Sequence, residues 1–336
     1  MGESLLEEIV QDRESWLKSK GFDPESLQDK WKLTYSPLET MQNNYNYVTL
    51  ELGIKKDVFE RFPTLFGYST EDNLKPKVKY ITEELRLPLK VFERFPALFS
   101  YSIEDNLKPK VEYITQELRL PLKVFERLPA LFSYSIEDNL KPKVKYITEE
   151  LDLDAKVFEK NPQLFNLSIE DNLKPKVEYI TQELRLPLKV FERLPALFSY
   201  SIEDNLKPKV KYITEELRLP LKVFEKNPQL FNLSIEDNLK LKYHYLTTEM
   251  HTNNFALEKF PVAFSLSLKK RIIPRWEFAK TKGKSNITLS NLLSPNDKNF
   301  AKKMGSDTAH YHQFRDNLND FIEETYASLV TVVTSP

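Results

Sequence analysis

Lysine and arginine are the residues here whose spacing could do chemistry, and that chemistry is the neutralisation of phosphate, the source of most sequence-independent affinity for nucleic acid. Two lysine ladders run through the chain at intervals of 33 residues: Lys75, Lys108, Lys141, Lys174 and Lys207, and two positions on, Lys77, Lys110, Lys143, Lys176 and Lys209. On a helix two residues turn by about 200°, so the ladders point to opposite sides and only one can line a phosphate track. A third position alternates Lys79, Glu112, Lys145, Glu178 and Lys211, and that change of sign argues against a phosphate contact. The second concentration of positive charge lies in 269–303, where Lys269, Lys270, Arg271, Arg275, Lys280, Lys282, Lys284, Lys298, Lys302 and Lys303 face only Glu277 and Asp297, a local charge of +8. The rest is balanced: residues 72–236 hold 27 basic and 27 acidic side chains, residues 1–30 are at −4, and the whole chain is at −1. Binding to phosphate therefore depends on segregation of charge rather than on its total.

Other chemistries find little support. There is no cysteine, which excludes a disulfide framework, a zinc ribbon and a thiol nucleophile. His244, His251, His310 and His312 have no metal-ligand spacing, and no metal or other cofactor is expected. Six glycines form no phosphate loop and no nucleophile elbow, so the chain does not read as an enzyme. Aromatic residues could stack on splayed bases, but the position of Tyr68, Tyr101, Tyr134 and Tyr200 becomes Leu167 and Leu233 elsewhere, which suits packing. Phe92, Phe99 and their equivalents fall on apolar faces and read as core.

These side chains must be carried by a repeat. Pro63, Pro96, Pro129, Pro162, Pro195, Pro228 and Pro261 stand 33 apart, and a second comb runs Pro76, Pro109, Pro142, Pro175, Pro208, Leu241 and Pro274. Residues 105–170 and 171–236 differ at three positions only, Asp152 against Arg218, Asp154 against Pro220 and Ala155 against Leu221, the mark of a duplicated 66-residue unit. Within one unit Ser102 and Asp105 resemble a capping box, and Ile103, Leu107, Val111, Ile114 and Leu118 follow as one helical stripe. Pro109 lies inside that helix, where it is expected to remove a donor and kink the axis, and Tyr113 falls opposite the stripe, as in a helix sandwiched between neighbours. A second, shorter helix is expected from Pro121, ended by Pro129, with Ala130, Leu131 and Phe132 as a final 3₁₀ turn. Such units bury their faces only against one another. The fold expected is all-α: a right-curved helical-repeat solenoid of 33-residue repeats, each two helices plus a short 3₁₀ turn.

The repeat resembles that of the mitochondrial transcription termination factor (mTERF) family, whose pattern P-x-L-F-x-x-S followed by L-x-P-K-V is met by Pro96 to Ser102 (PALFSYS) and Leu107 to Val111 (LKPKV). Phe264 to Lys280 (FSLSLKKRIIPRWEFAK) is similar to the segment closing the array in plant and algal members. The resemblance implies a triangular repeat and duplex DNA or structured RNA held along a concave basic surface, in a protein of the mitochondrion or chloroplast that acts in transcription termination or regulation, RNA splicing or ribosome assembly. The expected contacts are Lys75, Lys108, Lys141, Lys174, Lys207, Lys269, Lys270, Arg271, Arg275, Lys280, Lys282 and Lys284. The expected divisions are an acidic N-terminal helical region over 1–38, the array over 39–268, and a basic closing segment with a helical tail over 269–336. The acid-rich N-terminus shows no transit peptide, no apolar run is long enough for a membrane span, and a monomer is expected. The competing reading, motivated by array neutrality, is a protein-binding scaffold without nucleic-acid contact.

Overall fold

The computed structural model describes residues 2–27 and 36–334, with the side chains of 9–27 and 36–333. Part of the acidic N-terminal region, Met1 and 28–35, thus lies outside the described residues. All regular structure among the described residues is helical, and the chain divides into two compact units, Met1–Asn166 and Leu167–Pro336.

In the first unit the repeat is built as the capping pattern predicts. The Ser102 hydroxyl accepts the Asp105 N–H at 3.1 Å and donates to the Asp105 carboxylate at 2.8 Å, so the first helix opens on a serine N-cap whose partner carboxylate binds the hydroxyl instead of the Ser102 N–H of a full capping box. The helix runs over 103–117, but its first and last turns are π-helical and only Lys108–Glu112 is α. At the entry, the Leu107 N–H donates to Ser102 O at 3.0 Å, five residues back, and Lys108 does likewise to Ile103 O. Pro109 follows at once, so the ring that lacks an N–H sits where the helix is already widened.

The serine cap rather than the proline accompanies the wide entry. It persists over Ile235–Lys240, capped by Ser234, where Leu241 stands in the proline comb. It is absent from Leu38–Asn46, whose N-cap is Pro37 without a side-chain cap bond. The expected donor loss at Pro109 is thus absorbed by a local change of helix type. Tyr113, opposite the apolar stripe, is buried as a sandwiched face requires.

The helix closes on a residue in the left-handed region. Leu118 N–H reaches Tyr113 O, Leu120 N–H reaches Ile114 O, and Arg119 between them has φ 53°. This is a C-cap normally given to glycine. Arg86 and Asp152 (φ 54° and 52°) hold the same place in this unit, Arg185, Arg218 and His251 in the other, and the degenerate first repeat does use glycine, Gly53 at φ 67°. A non-glycine residue there costs on the order of 1 kcal/mol.

The second helix spans Lys123–Arg127, two residues later than the expected start at Pro121, whose carbonyl instead accepts the Val124 N–H in the turn before it. The 3₁₀ turn Pro129–Ser133 brings Phe132 onto Phe125, centroids 4.2 Å apart, both fully buried. The same stack recurs as Phe59 on Phe66 and Phe92 on Phe99 here, and as Phe191 on Phe198 and Phe224 on Phe231 in the second unit.

Adjacent repeats are joined by a cation on a helix end. The Arg94 guanidinium donates to the carbonyls of Glu126 and Arg127, and Arg127 repeats this on Glu159 and Lys160 at 2.6 and 2.8 Å. Those carbonyls are among the last of the next repeat's second helix, where acceptors lack intrahelical partners and positive charge is favoured. In the second unit Arg193 serves the carbonyls of Glu225 and Lys226. At the N-terminal end Trp16, in the helix Gly2–Ser19, meets Tyr45 and Phe66 edge-on, and Phe22 meets Phe59 and Phe66, closing the first repeat's core.

The last serine-capped entry, Leu268–Ile272, leads into the helix Ile273–Thr281, and the described residues beyond it form the helices Leu289–Leu293, Asp297–Lys303, Thr308–Asp316 and Asn319–Thr334. The last returns to pack on Leu241–Thr248, burying Ile322 and Leu329.

Candidate nucleic-acid interface

The two lysine ladders separate as helix geometry requires. In the first unit Lys75, Lys108 and Lys141 are partly exposed, yet each ammonium sits 2.5 to 2.6 Å from the glutamate one turn before it, Glu71, Glu104 and Glu137. In the second unit Lys174 and Lys207 pair the same way with Glu170 and Glu203. The glutamate hydrogen bond holds Lys75, Lys108, Lys141 and Lys207 above the usual lysine value. These lysines are charged and reachable, but the ladder is locally neutral. Exposed pairs of this kind are weak and screened by salt, so a phosphate can displace the carboxylate at small cost.

The second ladder is structural. Lys77, Lys110, Lys143 and Lys209 are buried, and burial lowers their affinity for a proton. Lys143 donates to Phe165 O at 2.7 Å and to Asn139, and its ammonium lies 6.0 Å from the Tyr134 ring centroid. At the end of the array Lys242 binds Phe264 O, and burial pushes it down to about 8. These are lysines whose stems cover apolar surface and whose ends serve backbone carbonyls. The half-buried tyrosines are tied to the next repeat: Tyr134 donates to Asn166 at 2.6 Å in the first unit, and Tyr200 to Asn232 in the second.

The basic closing segment is largely consumed by its own fold. Arg275, an expected phosphate contact, is fully buried: it donates to Leu292 O at 3.0 Å, pairs with Asp297 at 2.7 Å, and lies 4.7 Å over the Phe300 ring. That placement corrects the expectation, since a phosphate could reach this guanidinium only by dismantling the segment. Arg271 spans the carbonyls of Leu293, Ser294 and Pro295. Lys269 pairs with Glu323 at 2.5 Å and lies 4.1 Å over the Tyr326 ring. Lys280 pairs with Glu277, Lys282 stands over Phe278, and Lys284 donates to Lys303 O. Among the described residues Lys270, Lys298 and Lys302 are exposed with no ion pair or hydrogen bond to their ammonium groups.

The pairs that fix Arg275 and Lys269 join residues far apart in the sequence, Asp297 and Glu323, and no local spacing announces them. Gly53, in the same register as the exposed arginines at positive φ, is the one sequence signal that marks their turn.

No group of three or more potential metal ligands occurs among the described residues, and none of their helices is long and apolar enough to cross a membrane. An all-helical tandem-repeat protein with short 3₁₀ turns and a basic closing segment is the class these features define. The mTERF family pattern matches at residues 33–110, 89–153, 154–222 and 220–301, and the chain belongs to that family. No curated protein matches the chain. Family membership points to nucleic-acid-associated regulation in an organelle, in a family that is generally non-enzymatic.

Proposed function

We propose that this chain binds double-stranded DNA or structured RNA through its phosphate backbone and regulates organellar gene expression in the mitochondrion or chloroplast, by transcription termination or regulation, RNA splicing or ribosome assembly. The observation that carries the reading is segregated charge: 269–303 is at +8 within a nearly neutral chain, and Lys270, Lys298 and Lys302 remain open to a ligand. The ladder Lys75, Lys108, Lys141, Lys174 and Lys207 would add contacts by exchanging its glutamate partners for phosphate, while Lys269, Lys280, Lys282 and Lys284 line the same basic segment. Sequence selectivity would come from the array ends or from nucleic-acid shape, because repeats 105–137 and 171–203 are identical and spell no base code. The expected division remains an N-terminal region over 1–38, the array over 39–268 and the closing segment over 269–336, in a monomer.

A binding screen over duplex DNA, single-stranded DNA and structured RNA tests this reading. Retention of a duplex or folded RNA supports it, and failure on every nucleic acid at low salt rejects it. Neutralisation of each ladder lysine by its own glutamate favours a second reading, a protein-binding scaffold, which such a failure would promote.

A further inference from the structure

The turn between the two helices of each repeat sets an exposed cation on an unfavourable backbone. Arg86 and Arg119 in the first unit, and Arg185 and Arg218 in the second, hold φ of 53° or 54°, the left-handed conformation that glycine adopts freely. Their side chains are exposed, and among the described residues none makes an ion pair or hydrogen bond. They share this openness with repeat lysines such as Lys90, Lys123 and Lys222, and differ from those in standing on a left-handed backbone. The Lys75 ladder is held by glutamates, the Lys77 ladder is buried, and the Arg94 series caps helix ends. The carboxylates that precede the turn, Glu84 before Arg86, Glu117 before Arg119, Glu183 before Arg185 and Glu216 before Arg218, do not come within ion-pair distance of these arginines.

Folding does not explain an arginine here, since Gly53 closes the first repeat's helix with the same geometry and less strain. The turn is also where the two 66-residue copies diverge: all three differences fall in it, exchanging Asp152 and Asp154 for Arg218 and Pro220. Arg218 stands on an open groove lined by Val210, Thr214, Pro220, Leu221 and Glu258.

We infer that Arg86, Arg119, Arg185 and Arg218 are phosphate-contacting residues for the phosphodiester backbone of a bound nucleic acid, and that the repeat carrying Asp152 interrupts the set. The inference rests on the proposed nucleic-acid function and adds to it a set of contacts outside the lysine ladder and the closing segment. A planar guanidinium with no competing partner is suited to paired hydrogen bonds with phosphate oxygens. The backbone strain persists because the cation is used.

The experiment compares the full chain with a variant carrying Arg86→Gly, Arg119→Gly, Arg185→Gly and Arg218→Gly together, and with a separate Asp152→Arg variant. Affinity for labelled mixed-sequence duplex DNA and for an RNA hairpin is measured across a range of KCl, and thermal unfolding of each protein is recorded. Glycine suits positive φ, so the fourfold variant unfolds no earlier than the parent while its affinity drops roughly tenfold or more. Its log–log salt slope on duplex DNA becomes shallower by about 0.9 for each phosphate that no longer meets a guanidinium. Asp152→Arg steepens the slope, and whichever of DNA or RNA shows these shifts is the ligand. If the parent binds but both variants match it in affinity and slope, the arginine assignment is overturned and the functional reading stands. If the parent binds neither probe at the lowest salt, the functional reading fails and takes the assignment with it.

Discussion

Arg275 and Asp297 form an ion pair of 2.7 Å in which the arginine is buried and the aspartate is about one third exposed. The guanidinium also takes the carbonyls of Leu292 and Leu293, so it ties the helix Ile273–Thr281 to the turn that opens Asp297–Lys303. Removing one member of a buried pair leaves the other desolvated and unpaired. Arg275→Ala is expected to destabilise the second unit by about 3 kcal/mol, the low end of the range because Asp297 retains some water. Chemical denaturation of the variant against the parent checks this.

The same pair sets a pH dependence. Burial pushes the Asp297 carboxyl up, but hydrogen bonds from Arg275 and His312, together with their charges, outweigh it and hold the carboxyl below the usual aspartate range. A depressed carboxyl contributes stability that is fully present above the unfolded value of about 3.9 and is lost as pH falls through the folded value. Stability of the parent should fall across that acid window, and Asp297→Asn should show a lower plateau with a smaller acid loss. An unfolding midpoint followed from neutral pH downward for both proteins measures the difference.

The helix-end joint predicts coupling between neighbours. Arg127→Ala removes two hydrogen bonds to the end of Lys156–Lys160 and should cost about 1 kcal/mol, since the contact is exposed. Hydrogen exchange should show weakened protection at the end of that next helix as well as at the mutated repeat. Exchange confined to the repeat of Arg127 would count against the joint.

The stacked phenylalanines predict a larger effect. Phe132→Ala deletes a fully buried ring 4.2 Å from Phe125 and should cost about 3 to 5 kcal/mol. Stability in a repeat array is shared with neighbours, so a denaturant titration should show the destabilisation spreading beyond one repeat. Ser102→Ala should cost about 1 kcal/mol through its N-cap, readable in the same titration.

How much of this was legible in the sequence depends on the range of the interaction. Ser102 and Asp105 are three residues apart, so their cap could be read directly, and Phe92 and Phe99 declared themselves by lying on apolar faces. Replacement of Tyr134 by Leu167 speaks for an apolar requirement at that position, and the structure shows Tyr134 half-buried with a hydrogen bond to Asn166. The π turns were hidden, because an apolar stripe spaced by three and four does not distinguish a bond four residues back from one five back at a helix end. Arg275 was misread as surface because it stands in a basic run, and its partner Asp297 arrives only after the chain turns back. The pairing of Lys75 with Glu71 is legible in their spacing of four residues, one helical turn apart.

The central claim is that this repeat protein engages nucleic acid through phosphate, and the salt dependence of its equilibrium affinity for duplex DNA and structured RNA tests it most directly. The account predicts a linear fall of log affinity with log salt, with a duplex DNA slope of about −0.9 per phosphate neutralised, summed over several phosphates. An affinity unchanged between low and moderate salt, or no complex with either ligand, would contradict it.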